Sequence, residues 1–274
     1  MHLKIGGGES VIFTVDKPIT WNFGVVASSF GYNKVYDRSF WTLDEEVGNP
    51  PKLSDGSFFR QSAERLPEIW KTGVPTMLTL VSYSGHNPFK LPDNLKDPDF
   101  DLSKLGLHPT LENFATMAHY TDSQLPTIIN YLRSRDDWSN TLVVITGDHE
   151  GLAGQREDIR KSSPLAAEIV DSRQMTPFIV LNSPLPGHVE KVIGQVDMYP
   201  TILSLLGMQD YEWQGVGQNL FSPASVPAAI SSMTRQVEGD TTGVEPTRLR
   251  HWQQAREISD LIIRNDYFKN FVAR

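Results

Sequence analysis

Three short runs of β-branched and aliphatic residues stand out along the chain: residues 76–81 (TMLTLV), 141–146 (TLVVIT) and 177–181 (PFIVL). Apolar side chains fall on both faces of each, which predicts strands buried between helix layers rather than strands with one wet face. Between the first two runs, residues 111–135 place Phe114, Met117, Ala118, Leu125, Ile128, Ile129 and Leu132 at helical spacing. Pro126 interrupts that pattern, so a kink or two helices are expected there. A further helix is predicted after Asp197, in VDMYPTILSLLG, with Gly207 as its C-cap. Residues 251–272 read as an amphipathic helix with Ile258, Leu261, Ile262, Tyr267 and Phe268 on its apolar side.

Strand and helix alternate in this order, which predicts an α/β fold: a central, mostly parallel sheet with helices on both faces. Residues 221–246 are rich in Ser, Pro, Gly and Thr and read as a loop or linker. The expected organisation is therefore an α/β domain over residues 1–221, followed by a loop and a helical appendage over 222–274.

Composition narrows the function classes. Net charge is -8, which argues against nucleic acid as the main partner, since a phosphate-backbone surface needs a Lys/Arg excess. The chain has no cysteine, so disulfides, thiolate metal sites and a cysteine nucleophile are excluded. The apolar runs are far shorter than the ~20 residues that span a bilayer, and residues 1–10 do not read as a signal peptide. No membrane segment is expected in this chain.

The strongest candidate chemistry is Gly147-Asp148-His149-Glu150-Gly151, directly after the run 141–146. Working residues in open α/β sheets gather at the carboxyl ends of strands. An adjacent Asp and His there offer one oxygen and one imidazole nitrogen, both ligands for zinc or manganese. Gly147 and Gly151 would let the backbone turn so that both side chains face one point. The plain alternative is a turn whose Asp caps the next helix. The second candidate is His86 in Ser82-Tyr83-Ser84-Gly85-His86-Asn87-Pro88-Phe89, after the run 76–81. A strand-end His can donate to a phosphate or sulfate oxygen or ligate a metal, although a lone loop His is usually just solvated. Gly6-Gly7-Gly8 lacks the lysine and helix of a phosphate loop and reads as a flexible turn. His108, His119 and His188 lack partners at metal spacing, Asp197 reads as a helix cap, and Trp21 as packing or a pocket wall.

Taken in order, these segments resemble the lipoteichoic acid synthase-like branch of the sulfatase and alkaline phosphatase superfamily, over residues 30–207. FGYNKVYDRSFW, LSDGSFFRQSAERL, LTLVSYSGHNPF, the stretch HYTDSQLPTIINYLRSRDDWSNTLVVITGDHEG, PFIVLNSPLPG and QVDMYPTILSLLG carry the likeness. The resemblance implies a Thr, Ser or formylglycine nucleophile attacking phosphorus or sulfur while one divalent metal (Mn, Mg or Zn, or Ca in a sulfatase) stabilises the oxyanions. It implies that Asp148 and His149 are metal ligands and that His86 and Trp21 contact substrate. The family's nucleophile motif has no counterpart among Ser10, Thr14 and Thr20, so the N-terminal part of the domain is expected to be missing and the chain to be inactive or partial. Trp21-Asn22-Phe23 keeps two residues of a Trp-Asn-Arg head-group motif, with Phe23 where the bidentate cation would be.

The implied function is a metal-dependent hydrolase or transferase of phosphate or sulfate esters, lipid- or glycan-linked, on the extracytoplasmic face of a bacterial membrane to which a longer parent is anchored. The alternative is a non-catalytic, degenerate domain that binds an anionic glycan or a partner protein. A two-metal phosphatase, with His188 and Asp197 as extra ligands, ranks last.

Overall fold

The computed structural model describes residues 8–211, 215–231, 236–265 and 267, with the side chains of Trp21, Ala153 and Arg256 outside that description. Gly6, Gly7 and residues 268–272 of the expected last helix lie outside it as well. The chain divides into two compact units, residues 1–141 with 148–175 and residues 142–147 with 176–274.

The first unit is built on a parallel sheet of three strands, β1 (Glu9–Thr14), β2 (Lys34–Tyr36) and β5 (Thr76–Val81), in the order β2-β1-β5. Two short strands, β3 (Glu46–Val47) and β4 (Lys52–Leu53), pair antiparallel beside it in sequence. The strand buried on both faces is β1: Val11 and Phe13 are fully buried and Ile12 nearly so. The three runs expected to be buried strands do form strands, but their residues are only half-buried or exposed. The reason lies in position: β1 is flanked by strands on both sides, and apolar composition alone does not tell a central strand from an edge one.

Helices α1 (Phe23–Ser29), α2 (Asp55–Ile69), α3 (Pro109–Arg133), α4 (Arg156–Ser162) and α5 (Pro164–Ile169) complete the unit. Ser54 caps α2 by accepting from the Ser57 N–H (3.1 Å). Phe58 and Leu66 of α2 are fully buried, and an edge-to-face series runs from Phe13 through Trp41 to Phe58 with centroid spacings of 5.1 and 5.2 Å. Packed along α2 is α3, which continues through Pro126 as one helix of 25 residues. A kink or two helices were expected; the second alternative is not what forms. Burial of Met117, Tyr120, Ile128 and Leu132 on either side of the proline outweighs the one backbone bond that Pro126 removes.

In the second unit, β6 (Val143–Thr146) and β7 (Phe178–Leu181) pair antiparallel. Helix α6 (Met198–Leu205) ends in a Schellman arrangement: Gly207 at φ +77° donates to the Ser204 carbonyl (3.0 Å) and Met208 donates to that of Leu203 (2.9 Å). The C-cap reading of Gly207 therefore holds. The stretch read as a plain linker contains an antiparallel pair, β8 (Ala228–Ile230) with β9 (Val237–Gly239). Helix α7 (Pro246–Arg264) follows, starting earlier than expected because Pro246 supplies a ready first turn. No helix among the described residues is long and apolar enough to cross a membrane.

Candidate active site

The candidate residues His86, Asp148 and His149 lie on two loops of the first unit. One, residues 82–89, leaves β5; the other, residues 148–152, leads toward α4. Each is pinned into the same hydrophobic cluster by one buried residue, Phe89 (3% exposed) and Leu152 (7%). Phe114 of α3 joins them. Its ring meets Phe89 edge to face at 5.2 Å, and it closes against Gly151 so tightly that a Cβ there would stand 2.5 Å from Phe114 Cε2. Gly151 was expected for its freedom to turn; the structure shows that it is needed for space.

Both loop histidines have their tautomer fixed by the backbone. His86 Nδ1 lies 2.6 Å from the Asn87 carbonyl, and His149 Nδ1 lies 2.9 Å from the Glu150 carbonyl. A carbonyl only accepts, so each Nδ1 carries the proton and each Nε2 is left for a ligand. His86 also stacks on Tyr83, centroids 5.1 Å apart and planes within 16°. Lys52 Nζ sits 3.8 Å from the centroid of that same tyrosine ring and pairs with Asp16.

Asp148 and His149 converge. The His149 N–H donates to Asp148 Oδ1 (2.9 Å), and His149 Nε2 stands 3.5 Å from Asp148 Oδ2, both side chains largely exposed. Two ligands held about 2.1 Å from a tetrahedral ion lie about 3.4 Å apart, so this pair has the span of one edge of a coordination shell. The proton on Nδ1, directed to a backbone carbonyl, is the usual arrangement behind a metal-ligating imidazole. The donor set fits a divalent ion with two of its ligands. Among the described residues no group of three or more His, Cys, Asp or Glu is disposed to hold a metal, so His86 does not extend the pair into a cluster.

Behind the pair, Glu150 accepts from the Leu152 N–H (2.9 Å) and forms a buried ion pair with Arg156. Arg156 in turn donates to the Asp171 carbonyl. This ion pair fixes the turn whose Glu150 carbonyl orients His149. Glu150 and Arg156 were not singled out from the sequence, where two charges six positions apart carry no signal of burial.

Of the other candidates, His108, His119 and Asp197 have structural roles. Trp21 lies in a 3-10 turn, Thr20–Asn22, and its side chain is outside the described residues. His108 caps α3, accepting from the Thr110 N–H (3.2 Å). His119 stacks flat on Phe100 at 4.0 Å and bonds Asp97 Oδ2 (2.8 Å). Asp197 does not cap α6 with its side chain. It is buried, 4% exposed, and its two oxygens accept from the Gly194 N–H (2.8 Å) and the Gln218 N–H (2.7 Å), fastening two loops of the second unit. Burial pushes its carboxyl above the ordinary carboxylate range.

A sulfatase family model matches residues 14–208. The chain belongs to the sulfatase family. It is 28% identical to the lipoteichoic acid synthase of Staphylococcus aureus strain USA300 over 220 residues, which is 79% of this chain and 33% of that protein. The chain thus spans about a third of the length of the curated relatives it matches. Its fold is that of the alkaline phosphatase superfamily. It superposes on the lipoteichoic acid synthase LtaP of Listeria monocytogenes with a TM-score of 0.71 at 21% identity, over 96% of this chain and 72% of that one. A protein of the alkaline phosphatase superfamily from Vibrio parahaemolyticus gives 0.66 at 16% identity, over 97% and 67%. The phosphoglycerol transferase GacH of Streptococcus pyogenes, solved with sn-glycerol-1-phosphate, gives 0.50 at 14% identity, over 73% and 50%.

Proposed function

We propose that this sulfatase-family chain contributes part of a metal-dependent site that hydrolyses or transfers a phosphate or sulfate ester. The observation that supports the reading best is the Asp148–His149 pair, with its 3.5 Å Oδ2 to Nε2 span and its backbone-locked tautomer. In this reading Asp148 and His149 hold one divalent ion, Mn, Mg, Zn or, for sulfate esters, Ca. Bound there, the ion supplies Lewis-acid stabilisation of the oxyanions. His86 Nε2 meets a tetrahedral oxygen of the substrate, and Trp21 lines the head-group side. The ester belongs to a lipid- or glycan-linked group, and GacH, solved with sn-glycerol-1-phosphate, is a neighbour in fold that makes glycerol phosphate a reasonable probe. Further ligands and the nucleophile come from residues not found here, in a longer polypeptide anchored on the extracytoplasmic face of a bacterial membrane.

The experiment is turnover of 4-nitrophenyl phosphate and 4-nitrophenyl sulfate by the longest natural polypeptide that contains this chain, with and without chelator. Asp148→Ala is expected to lower both metal content and turnover, the latter by about a hundredfold or more. Metal content and turnover both unchanged would sink the assignment.

A second reading has its own support. Phe23 stands where a head-group arginine is expected, and the described residues hold no three-ligand cluster. On that reading the chain is a degenerate domain that binds an anionic glycan or a partner protein without catalysis. Glycan binding that persists in chelator and in Asp148→Ala would favour it.

A further inference from the structure

Asp55 opens α2 and is fully buried, and both of its carboxylate oxygens are taken by neutral donors. Oδ1 accepts from the Tyr83 N–H (3.0 Å) and the Ser84 N–H (2.8 Å), while Oδ2 accepts from the Thr121 hydroxyl of α3 (2.9 Å). The exchange is reciprocal: the Asp55 N–H donates to Ser84 Oγ (2.9 Å). Three segments remote in sequence therefore meet at one carboxylate in the first turn of a helix. From Ser84 the path to the imidazole is short. The His86 N–H donates to the Tyr83 carbonyl (2.9 Å), and the His86 ring lies on the Tyr83 ring. Packing behind the loop leaves little slack, because a Cβ on Gly48 would already stand 2.9 Å from the Tyr83 ring.

We propose that Asp55 is the positioning residue of the substrate-binding histidine, clamping the first turn of the 82–89 loop so that His86 Nε2 is held toward the tetrahedral oxyanion. The proposal rests on the reading of His86 given above and assigns a role to the Asp of LSDGSFF, a residue that no candidate chemistry had absorbed. A carboxylate suits the task. Two converging backbone N–H donors need an acceptor with spare lone pairs, and a buried N–H left without one is costly.

The test uses the full 274-residue chain, labelled with ¹⁵N, and follows two signals. One is amide exchange at Tyr83 and Ser84 relative to α3; the other is the His86 imidazole response to sn-glycerol-1-phosphate. Asp55→Ala is expected to speed exchange at the two amides by about tenfold or more beyond any change in α3. It should also weaken the His86 response by about fivefold or more. Asp55→Asn keeps an oxygen for the two N–H groups and should restore both signals to within about twofold of wild type. Ser84→Ala, which removes the return bond, should shift both signals in the same direction and serves if Asp55→Ala does not fold. Exchange that rises equally in α3, or a His86 response unchanged in Asp55→Ala and Ser84→Ala, overturns the proposal. A wild-type His86 that never responds to glycerol phosphate removes the substrate reading of His86 instead, and the exchange comparison still decides the clamp.

Discussion

Gly151 shows how one residue couples two loops. Its missing Cβ admits the Phe114 ring, which in turn bears on Phe89 at the end of the His86 loop. Gly151→Ala should cost about 1–3 kcal/mol through overpacking, measured by urea unfolding, and shift the ring resonances of both phenylalanines. A neutral substitution would mean that the contact relaxes without strain. Tyr120 gives a second test at the same scale. Its hydroxyl accepts from the Gly56 N–H (3.1 Å) and donates to Glu45 Oε1 (3.0 Å), and burial pushes the phenol up to about 12. A folded pKa above the unfolded value means that the tyrosine's contribution is complete below about pH 10 and is lost as pH rises toward 12. Alkaline unfolding should therefore show a stability loss over that window that Tyr120→Phe lacks, at a baseline cost of about 1–3 kcal/mol for the orphaned Gly56 N–H.

The C-terminal ends of α2 and α3 are held together through Arg135, which donates to the Trp70 carbonyl (3.3 Å). Arg135 lies 4.2 Å above the Trp70 ring and bonds Asp137 through both Nε and Nη2 (2.8 Å each). The Arg135 hydrogen bonds hold the Asp137 carboxyl below the ordinary range. Its contribution is then present above the ordinary carboxylate pKa of about 4 and fades as pH falls below it. Asp137→Asn should cost about 1.5–3 kcal/mol at pH 7, and urea unfolding should show the gap to wild type narrowing progressively as pH falls below about 4. A gap that is constant with pH would show that packing on Trp70 alone matters. At this scale the sequence was legible where periodicity is long: α3 and α6 stand where apolar spacing puts them, and Gly207 stops α6. It was silent at β1, because ESVIFT opens with polar residues and its burial comes from neighbours 23 and 67 positions away, Lys34 against Val11 and Thr76 against Glu9. The 221–246 stretch hid a strand pair for a related reason: two strands of three residues carry too little pattern to rise above the turns around them. In the candidate site, the two histidines and Asp148 stand out as candidates in the sequence because they sit in Gly- or Pro-bounded loops after strands. Asp55, Phe114, Glu150 and Arg156 were not, since each acts through a partner that only the folded chain brings near.

In a chain of net charge -8, a site for an anionic ester would need its positive potential to be local. A divalent ion at Asp148 and His149 would supply it, and the strength with which that ion binds reports how much of the site these residues make up. Two protein ligands with water filling the remaining positions imply a Kd of about 1 mM, against submicromolar values for sites with three or four protein ligands. Mass action turns this into stability: at 10 mM Mn²⁺ a 1 mM site adds about 1.4 kcal/mol, whereas a submicromolar site adds about 5.5 kcal/mol or more. For a chain of this size the first amounts to a rise in Tm of about 3–6 °C and the second to well over 10 °C. We expect the smaller shift, abolished in Asp148→Ala and in His149→Ala and retained in His86→Ala, because His86 stands outside the pair. A large shift would mean that further ligands close on the ion from within this chain. No shift in wild type would mean that the 3.5 Å pair does not hold an ion by itself, and metal content and turnover would then be decided on the longest natural polypeptide that contains this chain.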